Sequence, residues 1–247
     1  MSNHPVSMER LGMQAARALV RRLPERVRHC ASKWYFFRQV AKGRFRSAEI
    51  EWERLGDWLS AGDVCIDVGA NVGRYTLKMS GLVGPRGHVV AFEPLTRSFD
   101  VLTHLVGKSG CRNVTLLNAA ATAAGCVIDI MADASPLNAA YIFDTNTRTR
   151  VTPTQDADTT ERKLGLSLDS LGLPGPVRLI KIDVEGHELE VCRGMVFLLK
   201  RDCPVLIVEH HGDSPELPAF LAQFGYRGRR LQDASRNCLF EYVGASS

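Results

Sequence analysis

The chain has 247 residues, 45% of them hydrophobic, and a formal net charge of +4. This length suits one large domain with a substantial core, and no segment of the sequence is long and apolar enough to cross a bilayer. The seven cysteines are scattered and form no Cys-x-x-Cys pair, so we expect reduced thiols in a cytoplasmic protein and no structural zinc site. Residues 11–20 are interrupted by Gln14 and Arg17, so we also expect no signal peptide.

The positive charge is concentrated in the N-terminal part of the chain. Residues 1–60 hold twelve Lys or Arg and six Asp or Glu, a net +6, which leaves −2 for residues 61–247. An aromatic run, Trp34 to Phe37, lies within this part. We predict that residues 1–58 form a basic helical segment packed on the core and that 59–247 form the main domain. The alternative is a patch for a phosphorylated, lipid-linked or nucleic-acid partner, and peripheral contact with a membrane belongs to this alternative.

The first strand of the main domain ends in a loop of small residues. Its apolar run, which contains Asp67, leads into Gly69, Asn71 and Gly73, and a helical pattern begins at about residue 72. Glycine, and among other residues asparagine, tolerates a positive φ. Such a loop can bring backbone N–H groups and a helix N-terminus up to a ligand. The pattern predicts a turn that binds a nucleoside-containing cofactor, with Asp67 among the contacting residues.

An acidic residue follows the second strand. Glu93 comes twenty residues after Gly73 and directly after the apolar run 88–92, where a carboxylate can accept both hydroxyls of a ribose. A dinucleotide site requires Gly-x-Gly-x-x-Gly for its pyrophosphate, whereas the spacing here is Gly-x-x-x-Gly. S-adenosylmethionine contains no phosphate, so the pattern favours this cofactor over NAD or FAD. The alternative is an ordinary strand–helix turn with an unrelated glutamate.

Further apolar runs continue the alternation of strands and helices. The sequence predicts strands at 64–68, 89–92, 114–117, 179–182 and 205–208, helices at 72–83, 96–108 and 186–200, and a closing hairpin of 226–231 with 238–242. Continuous apolar strands are typical of a parallel sheet that is buried on both faces. Residues 135–166 are polar and too numerous for a plain connection. We predict that they form extra strands, a flexible lid, or both, and bind the acceptor.

A second set of polar residues surrounds the end of a central strand. Asp183 ends that strand, and Glu185 and His187 fall in the loop and first helical turn beyond it, so their side chains can converge. Lys181 shares a face with Asp183 and, in a buried strand, needs a partner such as Asp183 or Asp67. Histidine has a pKa suited to a general base, and a nearby carboxylate would raise that pKa. The alternative is an acidic helix start with an exposed histidine.

A third set, Glu209-His210-His211, directly follows the strand 205–208. Together with Asp183 these groups could bind Mg²⁺ or Mn²⁺. They could equally supply the base without a metal. We expect no metal; the metal-dependent alternative would use Asp183, Glu209 and His210 as ligands.

Several segments resemble the FkbM-type S-adenosylmethionine-dependent methyltransferases. The resemblance covers about residues 60–212, and its most specific part is the run Lys181-Ile182-Asp183-Val184-Glu185-Gly186-His187-Glu188. The other matching segments are 67–73, 92–94, 117–120, 168–171 and 204–209. The resemblance implies a class I methyltransferase fold, which is an α/β, Rossmann-like architecture. Its sheet is seven-stranded and mostly parallel, with a reversed last strand and helices on both faces.

The resemblance also implies an activity and a set of site residues. The family mostly O-methylates hydroxyls of sugars, polyketides and other secondary metabolites. Asp183 would lie near the reacting centre. Gly69, Asn71 and Gly73 would contact the methionine end of the cofactor. Glu93 would contact its ribose, and Asn118 and Ala119 would contact its adenine.

The sequence therefore predicts an S-adenosylmethionine-dependent O-methyltransferase with a small-molecule or glycan acceptor that carries a free hydroxyl. The protein must align the acceptor oxygen, methyl carbon and sulfur, and remove the hydroxyl proton. The candidate proton acceptors, in order, are His187, Asp183, Glu185 and His210. Two alternatives stay open: a nucleic-acid methyltransferase that uses the basic N-terminus, and a non-catalytic cofactor-binding protein. We expect no nucleic-acid partner, because base methylation usually uses an Asn/Asp-Pro-Pro-aromatic run where this chain has residues 183–186.

Overall fold

The computed structural model describes residues 23–132, 149–152, 161–210, 215–232 and 236–244. Most of the polar stretch 135–166 lies outside these ranges, so its role in binding the acceptor stays a prediction. Within the described ranges, no helix has both the length and the apolar character needed to pass through a bilayer.

Seven strands form the main sheet, in the order β3-β2-β1-β8-β9-β11-β10. Neighbouring strands are parallel except at β11, which runs antiparallel to both β9 and β10. The predicted seven-stranded, mostly parallel α/β sheet with a reversed last strand is thus confirmed. The strands are β1 Val64–Val68, β2 His88–Phe92, β3 Val114–Leu117, β8 Val177–Ile182, β9 Val205–Glu209, β10 Tyr226–Arg230 and β11 Asn237–Tyr242.

Both faces of the central strands are covered. All five residues of β1 are buried, and alternate positions contribute to opposite cores. Ile66 and Ile180 pack in one core, whereas Cys65 and Leu179 pack in the other. This is the two-sided burial that the continuous apolar runs predicted. The carboxyl ends of β1, β2, β8 and β9 therefore meet at one edge of a rigid layer.

Seven α-helices are described, and two of the predicted helices differ from the expectation. The helix after β1 begins at Arg74 rather than at residue 72, because Gly73 still has a φ of +93°. The single helix predicted at 186–200 is two helices that meet at Gly194, where a Cβ would lie 2.0 Å from the Thr122 carbonyl oxygen. The helices are α1 Glu25–Ala41, α2 Ile50–Glu53, α3 Arg74–Val83, α4 Thr96–Lys108, α5 Glu188–Arg193, α6 Val196–Asp202 and α7 Glu216–Ala222.

The basic segment before β1 packs on the main sheet's helical layer through α1. Phe36 is 2% exposed and lies in a cluster with Phe45, Val72 and Leu105. On the same side of α1, His29 and Lys33 both contact the Asp100 carboxylate on α4. One face of α1 is therefore fixed against the layer that covers the sheet.

Four shorter strands form a second sheet, in the order β4-β7-β5-β6. β6 and β7 fall within the polar stretch, which agrees with the extra strands predicted there. The sequence did not predict β5, which pairs antiparallel with both. The bounds are β4 Ala120–Ala121, β5 Cys126–Ala132, β6 Thr149–Thr152 and β7 Glu161–Leu166.

Candidate active site

A cavity of about 650 Å³ opens at the carboxyl ends of β1, β2, β8 and β9. One side is formed by the loop after β1 and by Glu93 to Leu95 after β2. The other side is formed by residues 183–185 after β8, by His187 and by Glu209. The loop after β1 and the residues that follow β8 were predicted as two separate sets, and they line one cavity. Of the third predicted set, which follows β9, Glu209 also lines this cavity.

The loop after β1 has the backbone conformation that its residue types predict. Gly69, Asn71 and Gly73 have φ angles of +80°, +51° and +93°. A Cβ at Gly69 would lie 1.8 Å from the carbonyl oxygen of Asp183, and a Cβ at Gly73 would lie 2.6 Å from Leu102 Cδ1. Glycine is needed at both positions for its conformation and for its lack of a side chain. The loop is thus packed closely against the Asp183 backbone and the Leu102 side chain.

Glu93, which follows β2, is buried next to this loop, with 5% of its surface exposed. Its Oε2 accepts a hydrogen bond from the Asn71 N–H at 2.7 Å, and its Oε1 accepts one from the Leu95 N–H at 2.9 Å. Burial nevertheless raises the pKa of Glu93 to about 7. A carboxylate has about four acceptor positions, so two backbone bonds leave capacity for ligand hydroxyls.

Asp67 lies beneath the loop and is 1% exposed. It accepts a hydrogen bond from the Thr76 hydroxyl at 2.5 Å, and burial raises its pKa to about 6. Asp67 and Ala119 both line the cavity, whereas Asn118 is not among its lining residues. The Asn118 amide instead donates to the carbonyl oxygens of Glu93 and Pro94, each at 2.9 Å. Asn118 thus fixes the backbone that presents Glu93.

Lys181 is a buried cation that lines the cavity near the end of β8, and it is 1% exposed. Its Nζ lies 3.4 Å from Asp183 Oδ2 and 3.1 Å from Asn237 Oδ1, and it also lies 5.2 Å from the centre of the Tyr75 ring. The predicted Asp183 partner is confirmed. Because Asp183, Glu49, Glu209 and Asp67 outweigh the cost of burial, the pKa of Lys181 is raised and the side chain stays charged.

Three carboxylates converge beside this lysine. Oxygen atoms of Asp183, Glu185 and Glu209 all lie within 4.8 Å of one another. Burial and the neighbouring Asp183 raise the pKa of Glu209 to about 9, which indicates that the Asp183–Glu209 pair shares a proton. The group could accept a divalent cation, but it contains Glu185 where we predicted His210 as the third ligand. His210 does not line the cavity; its backbone N–H donates to the Arg236 carbonyl oxygen.

Glu185 and His187 follow Asp183 in an unusual turn. Glu185 has a φ of +51°, and Gly186 follows with +99°. A positive φ at a non-glycine residue is uncommon and is concentrated at functional sites. The turn directs the chain into α5, for which His187 is the N-cap residue, and both side chains line the cavity.

His187 is the only described histidine that borders the cavity. Its Nε2 is buried and has no hydrogen-bond partner in the described part of the chain. We expected nearby carboxylates to raise its pKa. Burial instead lowers the pKa of His187, and the opposing effect of Glu190 and Glu188 is smaller. The imidazole is therefore neutral near pH 7 and able to accept a proton.

The segment between α1 and α2 also contributes to the cavity, which the sequence did not predict. Arg46, Ser47 and Glu49 line the cavity, and so does Arg236 from the hairpin β10–β11. The Glu49 carboxylate accepts hydrogen bonds from the hydroxyls of Ser47 and Tyr75 at 2.7 and 2.8 Å and from the Asn237 amide at 3.2 Å. The only local signal is the acidic alternation of residues 49, 51 and 53 after a basic run.

Comparisons with known proteins show the family of this chain. The family model described as "Methyltransferase FkbM domain" matches residues 67–227. A curated relative, the hexuronic acid methyltransferase AglP of Haloferax volcanii, is 30% identical over 154 residues, which cover 62% of this chain. The match spans 59% of that relative's length. The crystal structure of an FkbM methyltransferase from Methylobacillus flagellatus KT superposes with a TM-score of 0.55 at 16% identity, over 74% of this chain and 44% of the other.

Proposed function

Because this chain belongs to the FkbM methyltransferase family, we propose that it transfers a methyl group from S-adenosylmethionine to a hydroxyl oxygen of a glycan or a related hydroxylated metabolite. The observation that carries the proposal is the single cavity that joins the glycine-containing loop and Glu93 to the carboxylates after β8 and β9. A methyl donor on one side and an acceptor hydroxyl on the other would meet beside Asp183.

The cofactor side fits S-adenosylmethionine in shape and chemistry. Gly69 and Gly73 have no side chain, so the loop can pack against Asp183 and Leu102 while its residues line the cavity. Glu93 would accept the two ribose hydroxyls, and Ala119 would contact the adenine. When bound, the cofactor supplies an electrophilic methyl group on a sulfonium sulfur, so the protein needs to supply position and a proton acceptor.

The acceptor side offers two groups that could take the hydroxyl proton. Neutral His187 borders the cavity, and its buried Nε2 has no hydrogen-bond partner among the described residues. Asp183 lies at the end of β8, with its Oδ2 3.4 Å from the Lys181 ammonium group. Glu185 lines the same region, and Glu209 shares a proton with Asp183. We propose His187 or Asp183 as the base, with Glu185 as a hydrogen-bonding group for the acceptor.

The chemistry of the cavity rim suits an acidic sugar. Arg46 and Arg236 line the cavity with 66% and 68% of their side-chain surface exposed, and each lies 3.9 Å from its nearest carboxylate. A guanidinium at that separation can turn to bind a ligand carboxylate in a bidentate pair. The relative AglP is a hexuronic acid methyltransferase, which supports a uronic acid as the acceptor of this chain as well.

The test is methyl transfer from isotopically labelled S-adenosylmethionine to a panel of glucuronides, neutral glycosides, tRNA and DNA. We expect an O-methyl product on a glucuronide, and a higher KM for it after Arg46→Ala or Arg236→Ala. Isothermal titration calorimetry with S-adenosylhomocysteine measures cofactor binding separately. Binding without transfer to any acceptor would favour a non-catalytic protein, and transfer to tRNA or DNA alone would favour a nucleic-acid methyltransferase.

A further inference from the structure

Helix α1 has a second apolar face that points away from the core. Its inner face contains Phe36 and Ser32, each 2% exposed, whereas Val27 is 47% exposed and Trp34 is 59% exposed. Residues 27, 30, 34, 38 and 41 are all exposed and repeat at intervals of three or four, so they form one stripe along the helix. Within the described part of the chain, the Trp34 ring is therefore largely uncovered.

Positive charge flanks this stripe. Residues 23–46 hold seven Lys or Arg and one Glu, a net +6. Arg26, Arg38, Lys42 and Arg44 are exposed, and the Arg38 guanidinium lies 4.6 Å from the centre of the Trp34 ring. An aliphatic and indole surface bordered by arginine and lysine matches the composition of helices that lie in a membrane interface. A nucleic-acid surface would instead need donors along most of the stripe, whereas Arg38 and Trp34 carry N–H donors but Val27, Cys30 and Ala41 form an apolar surface.

The stripe is continuous along the chain with the active-site cavity. Phe45 is 9% exposed and packs with Phe36, which fixes the chain directly after α1. Arg46, Ser47 and Glu49, the next residues, already line the cavity. A surface that holds α1 would therefore lie close to the acceptor side of the cavity.

We propose that α1 binds the surface of an anionic lipid bilayer, with Trp34 and Val27 in the headgroup region and the flanking arginines and lysine against lipid phosphates. The indole ring is suited to the interface by its apolar body and polar N–H. Each basic residue near an anionic membrane strengthens binding about fivefold. The exposed face of α1 contains none of the catalytic residues, so the test of membrane binding is independent of the methyl transfer proposed above.

The test is sedimentation of the full chain with vesicles of phosphatidylcholine alone and of phosphatidylcholine with phosphatidylglycerol. We expect binding to the anionic vesicles only, weakened by salt. Charge reversal by Arg38→Glu with Lys42→Glu should lower the partition coefficient more than about tenfold, as expected from four units of charge change. Trp34→Ala should weaken it by about fivefold or more.

Matched variants elsewhere on the surface provide the controls. Arg227→Glu with Arg230→Glu reverses two exposed charges on β10, and Phe197→Ala removes a 56% exposed ring on α6; neither should change partitioning more than about twofold. All variants change exposed side chains, and circular dichroism confirms their fold. A Trp34-dependent blue shift of fluorescence on adding anionic vesicles supports the proposal. It is overturned by absent vesicle binding, by equal loss in the controls, or by binding to RNA alone.

Discussion

A Cβ atom at Gly69 would lie 1.8 Å from the carbonyl oxygen of Asp183. The Asp183 N–H also donates to the Val68 carbonyl oxygen at 3.0 Å, which extends the β1–β8 ladder by one residue. The loop that would hold the cofactor is therefore in direct backbone contact with the residue beside the reaction centre. The two sides of the cavity form one rigid unit, so a substitution on one side should alter the geometry of the other.

Gly69→Ala should impair both cofactor binding and stability. The substitution places a methyl group inside the Asp183 carbonyl and forces a φ of +80° on alanine, so we expect a loss of more than about 2 kcal/mol in the free energy of unfolding. Urea unfolding measures this loss. The matched control is Gly81→Ala within α3, where a Cβ meets nothing within 4 Å and alanine should stabilise the helix by about 1 kcal/mol. Equal stability of the two variants would contradict the close approach.

Cofactor affinity should rise with pH through the titration of Glu93. The pKa of Glu93 is raised to about 7, but the ionised form is the one that accepts two ribose hydroxyls. Binding should therefore release a proton below about pH 7, and affinity should reach a plateau above about pH 8. Calorimetry in two buffers of different ionisation enthalpy measures this release. Glu93→Gln should weaken binding by about tenfold or more and abolish the pH dependence. A pH-independent wild type would remove Glu93 from the ribose site.

The same carboxyl group should make the ligand-free protein less stable as pH rises. The folded-state pKa of Glu93, about 7, lies above its ordinary value of 4.5, so the folded state binds more protons between these values. The free-energy cost that ionisation of buried Glu93 adds to folding is absent at pH 4.5 and complete above about pH 7.5. Asp67, with its pKa raised to about 6, acts in the same direction. The difference in melting temperature between Glu93→Gln and the wild type should therefore increase from pH 5 to pH 8.

Lys181 and Asp183 explain why one part of the site was predictable. Their spacing of two on a buried strand requires a shared face, and burial of the lysine requires a carboxylate, so the residues alone led to the observed pair. The loop at Gly69 and Gly73 and the carboxylate of Glu93 were predictable for a similar reason, since each follows a strand that must end at the same edge. Local chemistry and sheet geometry suffice where all partners belong to neighbouring strands.

The contribution of Glu49 and Arg236 to the cavity could not be predicted from neighbouring strands. Glu49 reaches the cavity because an aromatic cluster around Phe36 and Phe45 holds the N-terminal segment, and no spacing rule joins it to Asn237, 188 residues away. Strand β5 was missed because its partners lie in a polar stretch that has no strong strand pattern of its own. The lowered pKa of His187 depends on burial by distant elements, which the charged residues next to it in sequence do not reveal.

Removal of the buried cation should disturb the carboxylates around it. Lys181→Met leaves the Asp183 carboxylate without the ammonium group that lies 3.4 Å away, so we expect a loss of about 3–5 kcal/mol in the free energy of unfolding near neutral pH. The loss should decrease toward acidic pH, because Asp67, whose pKa is raised to about 6, takes up a proton there and leaves less negative charge around the site. Lys108→Met, at the exposed end of α4, is the control and should change stability by less than about 0.5 kcal/mol. A pH-independent loss would mean that Lys181 acts through packing alone.

His187→Ala should lower turnover by about 10²–10⁴ while leaving cofactor affinity nearly unchanged, as expected for loss of a general base. Because burial lowers the pKa of His187, the wild-type rate should fall only below about pH 6.5, where the imidazole becomes protonated. His104→Ala on α4 is the control, since that ring also has a lowered pKa but lies outside the cavity. Single-turnover rates with a saturating acceptor separate chemistry from binding.

Full activity in His187→Ala, with a large loss in Asp183→Asn, would transfer the role of general base to Asp183. Inhibition of the wild type by EDTA would instead require a cation at Asp183, Glu185 and Glu209.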